Sequence, residues 1–284
     1  SVKRLRSFSF RKTKVATDRV FATVQHRAYI DDMTQAASSM NKRIQGMIGL
    51  ALAAAIFGSW LSIHLFAMFA FELTWSSLPF AFALAAVQCW LSVGLFIISH
   101  DAMHGSLVPG AKRTNAFVGA VVLFLYAGFP WGKMRDAHFL HHKLAGRAGD
   151  PDFDEDHPHH FWPWYFTFFR RYFGIGSVLF VSSVVTVYWL LLDVPMTKLV
   201  LLYGAPAITS SVQLFYFGTF RPHKQDAKGF ADRHNARSES FGTLVSLATC
   251  FHFGYHHEHH CHPETPWWGL PRMRRTVLNQ GALA

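Results

Sequence analysis

The sequence predicts an all-α integral membrane protein: four transmembrane helices, one short re-entrant or interfacial helix, and a histidine-rich cap on the cytoplasmic side. Three observations predict it. Of 284 residues, 51% are hydrophobic and only 15% are charged, well below the charge of a soluble domain. Four apolar runs, 44–71, 78–98, 174–192 and 198–220, are each long enough to cross a bilayer core of about 30 Å as a helix. Three histidine clusters punctuate the polar segments: His100 and His104, then His138, His141 and His142, then His256, His257, His259 and His260.

The first 43 residues carry 10 of the 27 Lys and Arg and are read as a basic cytoplasmic lead-in, with residues 44–284 as one membrane domain. No apolar stretch in the first 40 residues reads as a cleavable signal peptide, and a basic juxtamembrane tail is expected there. Spans one and two form a hairpin joined at 72–77, and span two runs directly into His100 and His104. Gly105 and Pro109-Gly110 then turn the chain. The apolar stretch 117–130 has too few residues for a comfortable crossing, so it is expected to re-enter or lie at the interface. Residues 161–173, aromatic with two arginines, are expected as an interfacial helix ahead of the second hairpin.

Charge sets the orientation. Segment 101–173 holds 8 Lys and Arg and segment 221–284 another 8, while 72–77 and 193–197 hold none. Both termini and all three histidine clusters are therefore expected on the cytoplasmic face of a multi-pass protein, as in a bacterial inner membrane. The net charge of +10 reads as this orientation signal. Nucleic-acid binding is not expected, because the basic residues are scattered among apolar spans. Three cysteines, an odd number, with Cys89 inside a span, argue for reduced thiols.

Within the clusters, spacings of i, i+3 and i+4 place imidazoles on one helix face. Imidazole is a ligand for iron, zinc, copper and nickel, and the histidines suit two metals. A lone zinc held by His256, His259, Cys261 and His262 is the main metal alternative, but it would leave the other clusters idle. No HExxH pattern supports a zinc protease. His157, His159 and His160 lie in an acidic, proline-broken stretch and read as a solvated loop. His64 is expected to be hydrogen-bonded inside the bundle, away from the cap. His223, at the cytoplasmic end of span four, competes with His234 and His252 for a ninth ligand position. Asp101, Asp150, Asp152 and Glu258 are candidates to accept hydrogen bonds from ligand imidazoles; for Asp150 and Asp152 a turn role around Pro151 is the competing reading. Transport is disfavoured because the ionisable groups lie beyond the span ends.

HxxxH, HxxHH and HxxHH on a four-span chain resemble the membrane fatty acid desaturase and hydroxylase superfamily. His100-Asp-Ala-Met-His-Gly105, Asp150-Pro-Asp-Phe153, Phe230-Ala-Asp232 with Asn235-Ala-Arg-Ser238, Cys250-Phe-His-Phe-Gly254 and Pro266-Trp-Trp268 resemble the bacterial β-carotene ketolases within it, over about residues 45–275. Residues 1–43 are longer than that family leads one to expect.

The resemblance implies two iron ions, O2 as co-substrate and an external electron donor such as reduced ferredoxin. It implies His100, His104, His138, His141, His142, His256, His259 and His260 as ligands, and favours His223 as the ninth. The implied reaction is two hydroxylations at ring carbon C4 of a carotenoid arriving from the bilayer, followed by loss of water to a ketone. Fatty acyl desaturation or carotenoid hydroxylation on the same scaffold is the alternative. Asp101 and Glu258 are named as catalytic candidates for proton transfer, and Phe124, Trp131 and Phe217 as channel-lining guesses against ordinary core packing.

Overall fold

The computed structural model describes residues 41–226 and 229–281; the lead-in up to residue 40 lies outside them. The described residues are helical or irregular, with no strand among them. Long helix α1 (Lys42–Ala70) starts where the Asn41 side chain accepts the Arg43 N–H, a cap that satisfies one orphan donor. Helix α2 (Leu78–His104) has Pro79 in its first turn and stops at Gly105, whose φ of 75° only glycine adopts at little cost.

Helix α3 (Lys112–Ala127) meets α4 (Trp131–Leu144) at a bend of 100°. The bend follows from local chemistry. Gly128 ends α3 with φ 67°, and Pro130 forces the next turn to begin afresh. Gly119 then lets the helix pair close, because a Cβ there would stand 2.1 Å from the Trp131 ring. A second bend, of 84°, separates α5 (Phe161–Tyr172) from α6 (Ile175–Leu191).

Helix α7 (Met196–His223) contains two π turns, Leu199–Gly204 and Tyr216–Phe220, just ahead of Pro206 and Pro222. Proline supplies no N–H for the regular helical bond, and a π turn absorbs the register change. Short helices α8 (Thr243–Cys250) and α9 (His256–Cys261) follow, then α10 (Leu270–Gly281).

By length and hydropathy α1, α2 and α7 can each cross a membrane, and each bent pair can supply one further span. The expected runs thus correspond to 42–70, 78–104, 175–191 and 196–223, and the short apolar stretch is α3, broken from α4. Helix α2 is central, packed by α1, α3, α7 and α8. Its residues Val93, Leu95, Ile97 and Ile98 are fully buried with Ile56, Trp60 and Phe251. Gly94 permits this approach, since a Cβ would lie 2.7 Å from the Phe251 ring. Outward-facing Phe82, Ile175, Leu179, Leu191 and Val200 are more than half exposed, apolar exterior of the kind that faces lipid.

Candidate metal centre

Four chain segments deliver histidines to one place. Helix α2 ends in His100 and His104, α4 carries His138, His141 and His142, α7 ends in His223, and α9 carries His256, His259 and His260. Their ring nitrogens form two groups. His100, His104, His138, His142 and His259 make one; His141, His223, His256 and His260 make the other. Within each group the nitrogens lie within 4.8 Å of one another.

Nε2 atoms face Nε2 atoms throughout. His104 to His138 is 2.6 Å, His100 to His259 is 3.1 Å and His142 to His259 is 3.0 Å. In the second group His256 to His223 is 2.9 Å and His260 to His256 is 3.0 Å. A metal–nitrogen bond of about 2.1 Å puts ligands at right angles about 3.0 Å apart. The spacing therefore fits two ions, one offered five ring nitrogens and the other four.

The opposite ring nitrogens are held from outside. His141 Nδ1 lies 3.0 and 3.1 Å from the two Asp150 oxygens. Asp150 also accepts the Gly146 N–H at 2.8 Å and the Asp152 N–H at 2.9 Å, so its turn role and its ligand-orienting role coexist. His223 donates from Nδ1 to the Asn235 carbonyl at 2.7 Å. His100 Nδ1 is 3.4 Å from Asp101, whose other oxygen accepts the Trp267 N–H at 2.9 Å. An Nδ1–H so engaged leaves the Nε2 lone pair pointing inward.

Burial, reinforced by neighbouring imidazoles, holds His138, His256, His259 and His260 well below the ordinary histidine range. These rings are neutral at physiological pH, the form that binds metal. Dry burial of so many imidazoles is costly, and coordination to metal would remove that cost.

An apolar cavity of about 350 Å³ leads to this centre. Phe96, Tyr126, Phe168, Val181, Ile208 and Leu214 are among its walls, and His100, His138, His141 and His256 close its inner end. Phe253 lines it beside the histidines, its ring centroid 4.5 Å from that of His100 and 4.9 Å from that of His256.

Some expectations are redirected here and others agree with the structure. Phe124, Trp131 and Phe217 do not line the cavity. Phe124 packs on Phe180, while Trp131 and Phe217 pack against the main core. The lone-zinc alternative fails because His259 joins one group, His256 the other, and Cys261 turns away from both. Asp101 and Glu258 are buried but do not line the cavity; Glu258 accepts a hydrogen bond from the Ser238 hydroxyl. Of the ninth-ligand candidates, His223 enters the second group, whereas His252 stacks on Tyr255 and Trp267. His157 is exposed beside Asp154, and His64 bonds Tyr188 at 2.8 Å far from the cap. Sequence reasoning missed Phe253 and the Asn235 carbonyl. The Asn235 φ of 45° marks that carbonyl's special geometry, and no pattern of spacing exposes it.

The chain matches the fatty acid desaturase family over residues 73–185 and 161–283. It belongs to that family. Among the curated relatives is a β-carotene ketolase of Paracoccus sp. (strain PC1), 47% identical over 231 residues, covering 81% of this chain and 93% of the relative. A β-carotene ketolase of Haematococcus lacustris is 32% identical over 254 residues, covering 80% and 79%. A zeaxanthin 4-ketolase of Chlamydomonas reinhardtii is 32% identical over 247 residues, covering 83% and 55%. No solved structure matches. As a member of the fatty acid desaturase family with such relatives, the chain is an oxidoreductase.

Proposed function

We propose that this chain is a membrane β-carotene ketolase that converts the C4 methylene of a β-ionone ring to a ketone, giving echinenone and then canthaxanthin. The observation that carries the reading is the apolar cavity, which ends against histidines of both groups. A long apolar substrate dissolved in the bilayer can present one end to the centre without passing through water. The Paracoccus and Haematococcus relatives carry the same substrate in their names.

His100, His104, His138, His142 and His259 would hold one iron, and His141, His223, His256 and His260 the other. When bound, two ferrous ions in such sites supply electrons for the activation of O2 towards an unactivated C–H bond. The chain's own residues do the rest. Asp101, Asp150 and the Asn235 carbonyl fix the inward lone pairs of His100, His141 and His223. Phe96, Phe168 and Phe253 exclude water and give the ring a flat apolar bed. Asp101 and Glu258, held by the Trp267 N–H and Ser238, act as positioning groups for His100 and for α9. Two successive hydroxylations at one carbon give a geminal diol, which loses water to the ketone.

In the membrane α1, α2, α6 and α7 are the four spans, with α3, α4 and α5 at the cytoplasmic interface. The absence of Lys and Arg from 72–77 and 193–197 supports this orientation. The centre then faces the cytoplasm, within reach of a soluble one-electron donor of the ferredoxin type.

Expression in bacteria that accumulate β-carotene, followed by pigment chromatography, tests the function. Echinenone and canthaxanthin are the expected products. Hydroxylated carotenoids, or unchanged β-carotene with the iron-loaded protein in the membrane, would overturn it.

A further inference from the structure

Besides the two histidine groups, a third set of metal-ligating atoms converges among the described residues. Asp232, His234 and Cys261 bring one ligand atom each within 4.8 Å of one another. His257 borders this set through two of its members: its Nε2 is 2.8 Å from Asp232 Oδ2 and 3.7 Å from Cys261 Sγ. All four are partly exposed, in contrast with the second histidine group, which is fully buried.

The geometry has a simple origin. His257 and Cys261 are spaced i, i+4 and so share a face of α9. His256 and His260 share the adjacent face, which turns towards His141 and His223. One short helix thus presents two ligand faces. Asp232 and His234 come from the loop between α7 and α8, where the Asp232 carboxylate also accepts the His234 N–H at 2.9 Å.

We propose that Asp232, His234, His257 and Cys261 form a separate site for a zinc-class divalent ion, which clips the 229–240 loop to α9. One thiolate, two imidazoles and one carboxylate are a four-ligand set suited to tetrahedral zinc. The thiolate disfavours magnesium and calcium, which take oxygen ligands.

The clip has a structural purpose. Helix α9 has only six residues, too few to hold its own position. The same loop supplies the Asn235 carbonyl to His223, and the Ser238 hydroxyl to Glu258 and to the His257 N–H. An ion bridging loop and helix would fix both partners of the second histidine group at once. The ion takes no part in the oxidation, so the site stands whether or not the substrate is a carotenoid.

Iron-loaded, full-length protein in detergent provides the test, with Zn2+ and Co2+ as probes. Zn2+ should slow alkylation of Cys261 about tenfold or more, because the thiolate is both nucleophile and ligand. Cys89 and Cys250 are buried and serve as internal references. Co2+ should give a thiolate-to-cobalt charge-transfer band, absent in Cys261→Ser and weakened in His234→Ala. An alkylation rate indifferent to Zn2+ in the unmutated protein would overturn the proposal. So would a charge-transfer band that survives in Cys261→Ser.

Discussion

His142 and His260 lie ring over ring, their centroids 4.2 Å apart and their planes 18° from parallel, although they belong to different ligand groups. The two groups therefore abut. His259 and His260 are adjacent in sequence yet serve opposite groups, as do His141 and His142. Consecutive residues on a helix point about 100° apart, so each HxxHH motif contributes to both groups.

This predicts a shared failure on mutation. His142→Ala removes a ligand from the five-histidine group and also the stacking partner of His260. Iron content should fall for both sites, and ketolase activity should drop at least about 100-fold, as losing an assembled centre does. Metal analysis of the purified variant beside pigment chromatography checks it. Loss of half the iron with the rest bound as tightly as before would show the groups to be independent.

Asp150→Asn keeps the size of the side chain but weakens the acceptor for His141 Nδ1–H. Iron at the four-histidine group should become about 10–100-fold easier to remove with a chelator, the usual effect of losing an outer hydrogen bond. The Gly146 and Asp152 N–H groups bond to different Asp150 oxygens, so the amide leaves one of them without an acceptor and should also cost about 1–3 kcal/mol of stability. Chelator titration and a melting curve on the same sample separate the two effects.

Cavity shape should act on substrate without touching metal. Ala207 lines the wall on α7, away from the histidines. Ala207→Trp should fill much of the space and cut ketolase activity at least about tenfold, with full iron content, since apolar pockets discriminate by volume. Unchanged activity would place the substrate path elsewhere.

Gly119→Ala should strain the α3–α4 bend. Its Cβ would meet the Trp131 ring, which in turn fixes the start of the helix carrying His138, His141 and His142. Overpacking of this kind costs about 1–3 kcal/mol. A lowered melting temperature in detergent is expected, and Trp131→Leu introduced beside it should recover part of the loss.

Much of this was legible in the sequence. The apolar runs gave the helices to within a few residues, and the i, i+3, i+4 spacings picked out the histidines that converge. His223 was legible because it ends an apolar run at the level of the other clusters. The five-and-four partition was not, since periodicity assigns residues to a face while the division between neighbouring ions depends on how α2, α4, α7 and α9 cross. The cavity walls were not legible either. Twenty-eight phenylalanines look alike in a row of letters, and only packing decides that Phe96 and Phe253 face the centre while Phe124 meets Phe180.

The most direct test of the centre is iron per chain in protein purified anaerobically from iron-replete cells, read by elemental analysis together with Mössbauer spectroscopy. The account predicts two irons per chain in nitrogen-rich sites, both disturbed in His142→Ala. A single tightly bound ion, or a centre occupied by zinc in protein that still makes ketocarotenoids, would contradict it.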